Sequence, residues 1–133
     1  MIAKAEGKFL RISPSKAGQV ITLLRRKSVV EAQSILRFLN KRAKEYVSKI
    51  LKSAVANAKV KGFSENQLYI SKIVANPGPT WKRFKAAAFG RASPIEKRTS
   101  HIRIELDMET KGPEQKAESK KKQKVKAGIK ELK

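Results

Sequence analysis

The stretch Ile102-Arg103-Ile104-Glu105-Leu106-Asp107-Met108 alternates apolar and charged side chains without a break. Successive side chains on a strand point to opposite faces, so a period of two predicts one face in a core and one in water. Leu68 to Ala75 has a β-like composition and supplies a second strand. Upstream of both, the period changes. Ala43, Tyr46, Val47, Ile50, Leu51, Ala54, Val55 and Ala58 recur at helical spacing, with Lys44, Lys49 and Lys52 off the stripe, and Gly62 marks the end.

Two further helices precede this one. Ser13-Pro14 is a helix start, with the hydroxyl as acceptor for a free N–H and proline where no N–H is needed. Ala17, Val20, Ile21 and Leu24 follow at helical spacing, and Arg25, Arg26 and Lys27 are expected in the last turn, where cations suit the helix dipole. Ser28 with Glu31 three residues on makes a capping box for the second helix. Its inner face is Val29, Ala32, Ile35, Leu36 and Leu39, and Asn40 is a stop. The first residues, Ile2 to Ile12, read as an irregular edge strand interrupted at Gly7. The class is therefore α+β, with three helices packed on a small antiparallel sheet.

Between the two strands the sequence stops resembling an interior. Asn76-Pro77-Gly78-Pro79 breaks regular structure. Lys82 to Arg103 then carries seven basic residues against one acid, Glu96, with Trp81, Phe84 and Phe89 interleaved. Ala86, Ala87, Ala88, Phe89 and Gly90 suggest the narrow tip of a long protruding β-hairpin at about 80–101. If its limbs continued the body strands, a dozen residues each at ~3.3 Å would reach roughly 40 Å from the core. Such a hairpin has no core of its own and is marginal alone, so a partner is expected to hold it. Beyond it, residues 111–133 hold nine Lys and three Glu, a net of +6. They read as a Lys-rich C-terminal extension to a single domain over 1–110, a basic tail that is disordered in isolation.

The whole chain of 133 residues carries a formal charge of +21, from 32 Lys and Arg against 11 Asp and Glu. A body that small, so charged, calls for a polyanion. There is no Cys, so no disulfide framework, thiolate metal site or Cys nucleophile is available, which fits a reducing compartment. No apolar run approaches the roughly 18 to 20 residues that span a bilayer, and the N-terminus lacks a signal-peptide core. No membrane role is expected.

Catalysis finds little support. The single histidine, His101, has no orienting partner or nucleophile in a recognisable motif, and reads as structural or RNA-contacting. Glu105, Asp107 and Glu109 share one strand face and could hold a divalent cation, but a solvated or Lys-paired face is the better reading. No phosphate-binding loop or dinucleotide turn is present. No enzyme, metal or cofactor is expected.

Nucleic acid suits the residues better. Bases for phosphates and interleaved aromatics for stacking lie together on Lys82–Arg103. Lys82, Arg83, Lys85, Arg91, Lys97 and Arg98 are the expected phosphate contacts. Thr99, Ser100 and His101 are expected to make polar contacts at the hairpin base, with Arg11, Lys16, Arg25, Arg26 and Lys27 forming a second RNA surface. Cations on several elements favour a protein embedded in folded RNA, which offers phosphates from many directions. Trp81 fits a core cap or a stacking platform equally. Two other classes are set against this reading. A DNA-compacting protein with basic β-arms would be a stable homodimer, and no hydrophobic dimer face is evident. A metal-dependent nuclease would lean on Glu105 and Asp107.

Five segments together resemble the universal large-subunit ribosomal protein L-twenty-two family in its bacterial form. They are Arg11-Ile12-Ser13-Pro14 with Lys16, Ser53–Ala58, Gly78-Pro79 followed by Lys82-Arg83, Gly90-Arg91-Ala92, and Lys97–Ile102. The resemblance runs from near the start to about Met108. It implies a compact domain near the outer mouth of the peptide exit tunnel, with a hairpin lining the tunnel opposite the extension of ribosomal protein L-four. It also implies large-subunit rRNA of the 23S type, neighbouring ribosomal proteins and the nascent peptide as partners, a role in subunit assembly, and a cytoplasmic ribosome, with an organellar one left open. The chain departs from the family at Ala87, Phe89 and Gly18, where basic residues are common.

Overall fold

The computed structural model describes residues 1–108. The Lys-rich extension expected at 111–133 lies outside the described residues, as does Glu109. The order is β1 (Ala3–Leu10), α1 (Pro14–Leu24), α2 (Val29–Phe38), α3 (Ala43–Val60), β2 (Leu68–Pro77), β3 (Trp81–Ala86), β4 (Ala92–Lys97) and β5 (Ser100–Met108). Short 3-10 turns occupy Glu65–Gln67 and Ala88–Gly90. The fold is α+β, as the two periodicities require.

β5 is the centre of an antiparallel sheet ordered β1-β5-β2. Its inward residues Ile102, Ile104 and Leu106 are fully buried. They meet Ala3 and Ala5 from β1, and Leu68, Ile70 and Ile73 from β2. On the far face, Glu105 stands opposite Lys4 and Lys72 in register, and Glu6 pairs with Arg103 at 3.2 Å. The acids of β5 thus belong to a charged outer face of mixed sign. Among the described residues no cluster of His, Asp or Glu could hold a metal ion.

The helices cover the inner face. All of the α3 stripe is buried except Tyr46, which is partly so. The helix ends where Gly62 turns left-handed at φ 84°. There the Phe63 N–H donates to Ala58 O at 3.2 Å and the Gly62 N–H to Lys59 O at 2.9 Å, which satisfies the last carbonyls. The N-terminal signals hold as well: Ser13 Oγ accepts from Lys16 N at 3.4 Å, and Ser28 Oγ from Glu31 N at 3.2 Å.

Three details differ from the sequence expectation. α1 stops at Leu24, so Arg25–Lys27 lie beyond its last turn. Arg26 adopts φ 58°, which swings the chain onto the edge of β2, where Lys27 O accepts from Ile70 N at 2.9 Å. The helix is cut short to pin that edge. β2 runs on through Asn76 and Pro77, which proline tolerates because β2 is an edge strand. Gly78 N donates to Thr99 O at 2.9 Å, so alternation turns the Pro77 nitrogen outward, where no donor is needed.

The third difference concerns the hairpin. β3 and β4 form a separate two-stranded sheet of six residues per limb rather than continuing β2 and β5. At ~3.3 Å per residue that ladder is about 20 Å long. The limbs are still paired at Gly78, where a Cβ would lie 2.5 Å from Thr99 Oγ1 and only glycine fits, but Pro79 has no N–H with which to carry the ladder on. Thr99 Oγ1 donates to Pro79 O at 2.7 Å, tying the limbs by a side chain where the ladder lapses.

Candidate nucleic-acid interface

The register of the arm sorts its side chains. Directly opposed residues of an antiparallel pair share a face. Trp81, Arg83 and Lys85 therefore lie with their partners Lys97, Ile95 and Ser93 on one side. Lys82, Phe84 and Ala86 lie with Glu96, Pro94 and Ala92 on the other. The first face has three cations, no acid and one indole. The second has one cation opposite one acid and is otherwise apolar. All of these side chains are exposed, and among the described residues no ion pair neutralises the basic face.

The tip is a tight reversal. Ala87 N donates to Arg91 O at 2.8 Å, and Phe89 (φ 58°, ψ 37°) and Gly90 (φ 67°) are both left-handed. A phenylalanine in that region is strained by about 1–2 kcal/mol. Its ring is 96% exposed, standing at the end of the arm. Arg91 is the one cation next to it.

The root is built differently from expectation. Thr99 and Ser100 are at the hairpin base but buried, at 2% and 0% exposure, so their side chains face the protein and not an outside partner. Burial follows from their place at the start of the central strand. Thr99 is satisfied by Pro79, whereas Ser100 Oγ has no hydrogen-bond partner among the described residues. His101 is half-buried; its Nδ1 accepts from Phe9 N at 3.0 Å, and its ring stands edge-on to Phe9 with centroids 4.8 Å apart. Its role here is to hold β1 where Phe9 is forced to φ 53°. Trp81 does not cap the core: the Arg11 guanidinium lies 4.1 Å from its ring centroid, and the indole stays 49% exposed.

The body cations fall into two groups. Arg11 and Lys16 gather at the arm's root, around a cleft also lined by Arg42, Lys97 and Arg98. Arg25 and Arg26 lie at the other end of α1, where with Lys72 they border a shallow depression along β2. Lys27 pairs with Glu31 at 3.9 Å. The one "second surface" expected from the sequence is thus two patches. Arg42 and Lys72 join them only through tertiary contact, which no local spacing signals.

The arrangement can bind a chain of phosphates by an exposed basic strip and two basic patches. The family described as Ribosomal protein L22p/L17e matches residues 5–107. The chain is similar to the large ribosomal subunit protein uL22 of Clostridioides difficile, at 50% identity over 105 residues, which are 78% of this chain and 95% of that protein. The protein of that name from Syntrophus aciditrophicus is 46% identical over 108 residues, 80% of this chain and 98% of the relative. The one from Halothermothrix orenii is 44% identical over 113 residues, 84% of this chain and the whole of the relative.

Proposed function

Because the chain belongs to the Ribosomal protein L22p/L17e family, in its bacterial form, we propose that it binds 23S-type rRNA chiefly through the basic face of its arm. The protein is a structural, non-enzymatic component of the large ribosomal subunit, in the cytoplasm, among rRNA and other ribosomal proteins. With that family, the DNA-compacting and nuclease readings give way.

The single observation that carries the RNA reading is the sorting of Arg83, Lys85 and Lys97 with Trp81 onto one unneutralised face. Lys82, Arg91 and Arg98 flank it, and Arg11, Lys16, Arg25, Arg26 and Lys27 extend contact to the body. Thr99, Ser100 and His101 act from within, by fixing the root. The neutral face and the exposed Phe89 suit a surface that is not RNA, and we assign the nascent peptide in the exit tunnel to the arm's tip. By holding RNA at the arm and on the body, the protein aids subunit assembly. Residues 1–110 form its one domain, and the net +6 of 111–133 adds further phosphate contacts. It acts as a single copy.

Co-sedimentation tests this. The protein should run with the large subunit and leave it only at high salt, since each neutralised phosphate releases condensed counterions on binding. Affinity for rRNA that hardly changes between low and moderate salt would refute it.

A further inference from the structure

We propose that the concave corner between arm and body is a phosphate clamp, into which one RNA strand passes from the arm's basic face. This rests on the RNA reading above and adds a site to it. The cleft, of about 440 Å³, draws cations from four separate stretches of chain. Arg11 comes from the β1–α1 connection, Lys16 from α1, Arg42 from the residue before α3, and Lys97 and Arg98 from the end of β4. The one acid, Glu96, is engaged by Arg98 at 2.8 Å. Among the described residues no ion pair involves Arg11, Lys16, Arg42 or Lys97.

Four unpaired cations around one concavity repel one another, and an anion placed between them removes that cost. Two further facts identify the anion. Lys97 is opposite Trp81 in the ladder, so the basic face runs without interruption into the corner. The polyanion that follows the arm is therefore the one that reaches the cleft. Arg11 already faces the arm: its guanidinium lies 4.1 Å from the Trp81 ring centroid, so body and arm meet at the corner. A strand seated there touches arm and body at once and sets the angle between them.

Trp81 is the only tryptophan, so its fluorescence reports on one place, the root of the arm where the basic face meets the corner. The full chain is titrated with rRNA extracted from bacterial large subunits, and acrylamide quenching of Trp81 is followed together with the salt dependence of affinity. The complex should shield Trp81. The double variant Lys16→Gln/Arg42→Gln, altered at two exposed positions, should lose that shielding and flatten the log–log salt slope by about 1.4, roughly 0.7 per phosphate contact on a single strand. Lys85→Gln/Arg91→Gln should flatten the slope while leaving Trp81 shielded. Unchanged melting temperatures establish that both variants fold. Wild-type quenching that RNA does not alter, a double variant with the wild-type slope, or equal competition by poly-glutamate would overturn the clamp alone. Absence of salt-dependent RNA binding would overturn the RNA reading and the clamp with it.

Discussion

A methyl group added at Gly18 meets no atom within 4 Å, whereas one added at Gly78 lies 2.5 Å from Thr99 Oγ1 and 3.1 Å from His101 Nε2. Gly18 sits inside α1 with ordinary helical backbone, so it adds only flexibility to the unfolded chain. Gly18→Ala should stabilise the protein by roughly 0.5–1 kcal/mol, read as a melting temperature several degrees higher. Gly78→Ala should cost about 1–3 kcal/mol, because Thr99 is buried and bonded to Pro79 and cannot step aside. Urea unfolding of the two variants, moving in opposite directions, checks both. Phe89 shows the same logic at the tip: Phe89→Gly should relieve left-handed strain and leave the melting temperature unchanged or higher.

At the scale of elements, caps and stripes were legible because their partners are a few residues away. Ser13, Ser28, Gly62 and the α3 stripe each declare themselves within one or two turns. Leu51, 1% exposed, should lose 2–5 kcal/mol as Leu51→Ala, roughly, whereas Phe38→Ala, at an 86% exposed position, should stay within about 0.5 kcal/mol. What stayed hidden depended on distant chain. A bulge at Ser71, whose hydroxyl donates to Glu105 O at 3.1 Å, shifts the inward set from Leu68 and Ile70 to Ile73. The missing alternation across Ile70–Ile73 was its only trace. The shortened α1 likewise comes from contact with β2, the close approach at Gly78 from Thr99 and His101 about twenty residues on, and the cleft cations from four segments.

The turn at Glu65–Gln67 adds a pH-dependent tie between elements. Gln33 of α2 donates to Glu65, and Lys59 of α3 lies 3.1 Å from it. Those bonds, Gln33 first and Lys59 second, hold the Glu65 carboxyl below its usual value. A carboxyl depressed on folding stabilises the native state above its unfolded pKa, and that stability is lost as the pH falls through the folded pKa. Glu65→Gln should therefore flatten the acid side of the stability curve and leave neutral stability lower by about 0.2–1 kcal/mol, as for an exposed pair. Thermal melts between pH 3 and 7 measure both effects.

Over the whole molecule, charge was legible in amount and in chain position but not in facing. The sequence places seven bases between Lys82 and Arg103; only register turns Arg83, Lys85 and Lys97 to one side and sets Lys82 against Glu96. Arg83→Gln/Lys85→Gln should thus reduce the salt slope of rRNA affinity by about 1.4, or roughly 0.7 per contact. Lys82→Gln should change it less. Filter binding over a range of salt distinguishes the two.

The lapse of the ladder beyond Gly78 divides the protein into two hydrogen-exchange regimes. Amides of β5, paired on both sides and packed on buried side chains, open only when the body unfolds. Those of β3 and β4 sit in a ladder with no buried residue, joined to the body by the Gly78–Thr99 backbone bond, the Thr99 hydroxyl and the Arg11–Trp81 contact. The arm can therefore fray and re-form many times within the lifetime of a folded body, giving the free protein a slow-exchanging body and a fast-exchanging arm.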